Sequence, residues 1–195
     1  MDSGVQPDKL GEFINDNILR TLAGVPESGR PIFLKIVYHG PRLMEELAQY
    51  DPNLVVGILG GSAGTTYDAF KLIHDAQKYG ARVALFGRKI NNAEHQLAFI
   101  EMLRLITDGR ISPEEAVHAY HGVLQAKGIK PKRALQDDLQ LTDQAMSYGG
   151  GSSTTTVTVR NNPLAHSRNG TPDFDTMTRE QRTAYHRQRL EKRFG

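Results

Sequence analysis

The stretch Leu54-Val55-Val56-Gly57-Ile58-Leu59-Gly60-Gly61-Ser62-Ala63-Gly64 decides the fold, because an apolar run passes straight into a glycine-rich loop. Its first half is apolar on both parities, which predicts a short strand buried on both faces, the habit of strands in parallel sheets. Beyond the loop, Ala69, Leu72, Ile73 and Ala76 recur at helical spacing, predicting a helix near 66–79 that Gly80 stops. Upstream, Ile32 to Tyr38 is a second two-sided apolar run, ended by Gly40-Pro41. A helix then follows through Met44, Leu47 and Ala48 to Asp51-Pro52. Downstream, Ala81 to Phe86 is a third such run, ending in Gly87-Arg88, and Phe99, Met102, Leu103 and Ile106 mark a helix near 93–107. Strand and helix therefore alternate three times, which predicts an α/β fold of parallel strands joined by right-handed crossovers.

Further helices flank this core. Leu10, Phe13, Ile14, Ile18 and Leu22 predict one over about 8–23, stopped by Gly24 and Pro26. Ser112-Pro113-Glu114-Glu115 combines an N-cap, a first-turn proline and a capping-box glutamate, opening a helix to Gly128 through Ala116, Ala119, Tyr120 and Val123. From 149 the composition shifts to Gly-Gly-Gly-Ser-Ser-Thr-Thr-Thr and then to a polar segment, so the chain reads as a domain over 1–148 and a flexible linker with a disordered basic tail over 149–195. Within the tail, Val157 and Val159 alternate with threonine as an edge strand would, and Thr178 with Gln181 forms a second capping box opening a basic helix.

The chain has 195 residues, enough for one domain with material to spare, and its 38% hydrophobic content agrees with a stretch outside the core. A closed eight-unit barrel would need about 200–250 residues. The ordered part, roughly 8–128, supplies less than half of one. A small open sheet, the C-terminal part of a longer protein, or chains that complete one another all fit this length.

Composition excludes several classes. With no cysteine, disulfides, thiolate metal sites and a cysteine nucleophile are out together. The start MDSGVQPDKLGE lacks the basic flank and apolar stretch of a secretory signal, and no apolar run is long enough for a membrane span, so a cytoplasmic protein is expected. A formal charge of +2 is too balanced for a surface devoted to nucleic acid. The basic tail, with only Phe174 and Tyr185 as aromatics, makes a poor stacking platform.

Chemistry concentrates at the strand ends. Two glycine loops follow successive strands and precede helices, where main-chain N–H groups can converge on an anion. Gly60, Gly61 and Gly87 give an oxyanion access to the backbone, Ser62 offers a hydroxyl and Arg88 a guanidinium fork, which together predict a phosphate cradle. Gly57, Gly60 and Gly64 do not match a dinucleotide fingerprint, and the next strand ends in Gly87-Arg88 rather than in an acid. Lys35 interrupts an apolar strand, where an amine would lose its hydration. Such an amine facing a pocket can attack a carbonyl, and one at a sheet edge reaches solvent. His39 shares parity with Lys35. His118 and His121, with Glu114, sit on one helical face without a second ligand-bearing segment, so a solvated face rather than a metal site is expected.

The runs Phe33-Leu34-Lys35-Ile36-Val37-Tyr38-His39-Gly40, Val55 to Ser62 and Gly80 to Ile90 resemble the last three strands of class I aldolases, nearest to the archaeal-type fructose-bisphosphate aldolases and their deoxyribose-phosphate and tagatose-bisphosphate relatives. The resemblance spans about 32–107. It implies a partial (β/α) barrel of about three C-terminal units, with Lys35 as the Schiff-base amine in a K-x-x-Y-x-G setting shared with Tyr38 and Gly40. Gly60 and Gly61, then Gly87 and Arg88, would hold the substrate phosphate. Ser62-Ala63-Gly64 departs from the family pattern after the glycine pair, and the family's first five strands have no counterpart. Two readings follow. One is a lyase cleaving a phosphorylated sugar through Lys35 without metal or redox cofactor, its barrel completed by a homo-oligomer or a companion chain. The other is a non-catalytic module that binds a phosphorylated small molecule.

Overall fold

The computed structural model describes residues 7–60, 64–142 and 177–194. The chain divides into two compact units, Met1–Thr154 and Thr155–Gly195. In the first, helix α1 (Pro7–Ala23) leads into strand β1 (Phe33–Ile36), helix α2 (Pro41–Tyr50), strand β2 (Val55–Leu59), helix α3 (Thr66–Lys78) and strand β3 (Val83–Leu85). Helices α4 (Gly87–Asn91), α5 (Gln96–Thr107), α6 (Pro113–Ala126) and α7 (Leu135–Asp138) follow.

The strands form one parallel sheet in the order β1-β2-β3, with Lys35 opposite Gly57 and Gly57 opposite Val83. Sequential order has a geometric consequence. Right-handed crossovers that always step the same way across a sheet put their helices on one face and leave the other bare. Burial follows that division. Ile36, Val56 and Ile58 are at most 8% exposed, whereas Phe33, Val83 and Leu85, on the opposite face, are 42%, 36% and 37% exposed.

The expectation of strands covered on both faces is therefore corrected. Two-sided apolar character is present, but the described residues bury only one side. Lys35 lies on the open side of edge strand β1 and is exposed, the position of a lysine that reaches solvent rather than of a desolvated amine. The Phe33 ring partly screens that side by lying over Gly57, where an added Cβ would come within 2.6 Å of it.

The main core forms where α3, α5 and α6 meet. Phe70 and Phe99 lie 5.0 Å apart between ring centroids, and the Phe99 and Tyr120 rings meet edge to face at 5.6 Å. Edge-to-face contact aligns the positive rim of one ring with the negative face of the other. The expected capping box at Ser112 is formed: its Oγ accepts the Glu115 N–H at 3.2 Å, and Glu115 accepts the Ser112 N–H at 2.7 Å. Helix α5 begins at Gln96 rather than 93, because His95 caps it by accepting the Ala98 N–H at 3.1 Å. No helix of the described residues is long and apolar enough to cross a membrane.

The second unit holds helix α8 (Arg179–Phe194). Its box also forms, with the Thr178 N–H donating to Gln181 at 2.8 Å and the Gln181 N–H to Thr178 Oγ1 at 3.3 Å. The edge-strand expectation at Val157 and Val159 lies outside the described residues.

Candidate functional site

The carboxyl ends of β2 and β3 are stitched together where the Gly60 N–H donates to the Leu85 carbonyl at 3.2 Å. Gly60 is a site of close approach. A Cβ there would lie 1.4 Å from Cδ1 of Phe86, so the ring occupies the space any other residue would need. Gly61 and Ser62 of the expected cradle lie outside the described residues. At the far end of the loop, Gly64 has φ of +84°, the left-handed region that favours glycine.

This left-handed turn presents the Gly64 carbonyl to two cations. Lys89 Nζ and Arg133 Nη1 each donate to it at 3.0 Å. Lys89 is 8% exposed, and burial, reinforced by the Arg133 charge, lowers its pKa below that of an ordinary lysine. Asp68, Asp138 and Glu94 oppose that shift and do not cancel it. The residue beside it in sequence, Arg88, is exposed, as is Gly87, whose missing Cβ would meet open space. At the loop, the contact is thus made by Lys89.

Arg133 is delivered from a distant part of the chain. The Tyr120 hydroxyl donates to Glu94 at 3.0 Å and accepts the His95 N–H at 3.1 Å, while the Lys132 N–H donates to the other Glu94 oxygen at 2.8 Å. Lys132 Nζ also donates to the Asn92 carbonyl. Burial, helped by the adjacent Glu94 carboxylate, pushes the Tyr120 phenol up to about 12. This web ties the segment after α6 to the loop between α4 and α5, one residue away from Arg133.

The N-terminus of α3 is closed by carboxylates from within the protein. Asp68 accepts the Thr65 N–H at 2.7 Å and the Thr142 N–H at 2.8 Å. Asp138 accepts the Thr66 N–H at 2.7 Å and meets His121 Nε2 at 2.9 Å. Burial raises the Asp138 pKa, but the bonds from Thr66 and His121 outweigh it and hold the carboxyl below its ordinary range. Orphan N–H groups of a first helical turn demand acceptors, and here the chain supplies its own.

The other candidates lie elsewhere. Lys35 is on the open face, whereas Tyr38, just past β1, is only 4% exposed, so the two side chains do not share an environment. His39 packs against α1, where an added Gly11 Cβ would come within 3.0 Å of it, and burial lowers its pKa. Glu114 and His121 turn to different partners, Tyr67 and Asp138, and among the described residues no three His, Asp or Glu side chains gather as a metal site.

Sequence reasoning missed Lys89, Arg133 and Asp138. Lys89 carried a signal: it stands three residues after apolar Phe86, the spacing that puts two side chains on one side of a helical turn. Arg133, 69 residues from Gly64, carried none. Comparison with protein-family models, curated proteins and solved structures finds no match to this chain.

Proposed function

We propose that this chain binds a small phosphorylated molecule at the ends of β2 and β3, on a scaffold built like one wall of a (β/α) barrel. The observation that carries the reading is the pair Lys89 and Arg133, both within 3.0 Å of one carbonyl oxygen. Two cations held that close repel one another, and a phosphate arriving between them relieves the repulsion and gains charge-assisted hydrogen bonds. Asp68 and Asp138, which accept main-chain N–H groups of the α3 first turn, offset the two cations only in part. The barrel-wall architecture draws support from the sequential strand order, with apolar side chains left on the face that a closed barrel would turn inward.

Calorimetric titration with fructose 1,6-bisphosphate tests the reading. Binding that is lost in Lys89→Met and Arg133→Gln supports it, and binding of equal strength in both variants rejects it.

A second reading, aldolase-type lysis, is favoured by the row Lys35, Gly57 and Val83 on the open face. Anything that covers this face would desolvate the Lys35 amine and prepare it to attack a carbonyl with loss of water. Reduction with borohydride in the presence of the same sugar would convert such an imine to a stable secondary amine. A mass gain at Lys35 favours the enzyme; stabilisation by the sugar without that adduct favours the binding module.

A further inference from the structure

Helix α6 carries a feature that its packing does not explain. Gly122 sits inside the helix, where glycine is unfavourable relative to alanine, yet its φ is not positive and an added Cβ would meet nothing within 4 Å. Neither backbone conformation nor close approach requires it. What its missing side chain does is keep open one wall of a cleft of about 570 Å³. The cleft lies between the stripe His118, His121, Gly122 and Gln125 of α6 and the chain that returns through Ile129, Lys130 and Pro131.

The cleft's chemistry is one-sided. Ile129, Pro131 and Leu135 give it apolar surface, and its polar groups are two imidazoles, an amide and an ammonium, with no carboxylate among the lining residues. Among the described residues none hydrogen-bonds the side chains of His118, Gln125 or Lys130. An imidazole carries an N–H donor in either tautomer, and the amide and ammonium are donors too. His121 is fixed by Asp138 at 2.9 Å, which orients that wall. We propose that this cleft binds a small amphiphilic anion, with a phosphate or carboxylate head held by His118, Gln125 and Lys130 and an apolar body against Ile129, Pro131 and Leu135. Neither Lys89 nor Arg133 is among the residues that line it.

Phenyl phosphate is a suitable probe, followed by NMR of the His118 and His121 imidazoles in the full chain. Both resonances are expected to shift saturably at millimolar concentration. Gly122→Leu projects a side chain into the cleft and should abolish the shift while the melting temperature holds or rises. Lys130→Gln should weaken binding about tenfold through loss of one charge-assisted bond. Lys89→Met should leave the response unchanged, which separates this site from the one at Gly64. The proposal fails if the wild-type imidazoles do not move, if the shift survives in folded Gly122→Leu, or if phenol binds as well as phenyl phosphate. Should Gly122→Leu not fold, an undiminished response in Lys130→Gln overturns it alone.

Discussion

Asp138 accepts the main-chain N–H of Thr66 at 2.7 Å across 72 residues of sequence, so the first turn of α3 is completed by a carboxylate from α7. His121 holds the second oxygen of that carboxylate at 2.9 Å. Removing the charge should cost about 2 kcal/mol, the scale of a hydrogen bond to an ionised group. Urea unfolding of Asp138→Asn at neutral pH measures it.

The same carboxyl makes stability depend on pH in a defined direction. Its folded pKa lies below the ordinary 3.8, so its contribution is fully present above the unfolded value and is lost as pH falls through the folded one. The gap between wild type and Asp138→Asn should therefore close on acidification, read from urea midpoints across the acid range. A gap that stays constant to the lowest pH would remove the charge from the explanation.

Lys89 should shift stability in the same direction with pH, in the alkaline range and for the opposite reason, since here the charged form is the disfavoured one. Its folded pKa is depressed from 10.5, so the cost of burying its charge is felt at neutral pH and relieved as pH rises through the folded value. Lys89→Met is expected to melt at or above the wild-type temperature. Phosphate affinity of the wild type should decline on the alkaline side below the usual lysine range, measured as Kd against pH.

Gly60 and Phe86 should behave as a coupled pair. Gly60→Ala drives a methyl into the ring, with a cost of about 1–3 kcal/mol for overpacking. Phe86→Ala removes the obstruction, so the double variant should be more stable than the sum of the singles implies. Chemical denaturation of the four proteins gives the coupling.

The two sheet faces should differ in tolerance. Ile58→Ala on the covered face is expected to cost about 2–5 kcal/mol, whereas Leu85→Ala on the open face should cost under about 1 kcal/mol. Equal losses in thermal and chemical melts would show that the open face is covered in solution.

The alternation of three strands with helices was legible because periodicity, glycine stops and capping boxes are local signals, and Pro41, Ser112 and Thr178 each open a helix as read. The one-sided sheet was not legible. Apolar residues on both parities report what a strand would bury, and strand order, which sets the helices' side, is a property of the whole topology. Short helices also escaped: α4 and α7 have five and four residues, too few for a periodic pattern. At the site, the glycines ending β2 and β3 were visible, but charge at a loop is decided by which neighbour turns inward. Lys89 does so and Arg88 stays in water, a distinction that adjacent basic residues do not announce.

A sheet wetted on one side withholds apolar area from the transition that folds the rest of the chain. Unfolding exposes that area a second time to no effect, so the heat-capacity increment should fall short of the ordinary 12–15 cal/mol/K per residue or thereabouts. The curve of stability against temperature is correspondingly flatter. Whatever settles over Phe33, Val83 and Leu85 then brings the missing increment with it, as a negative heat capacity of association.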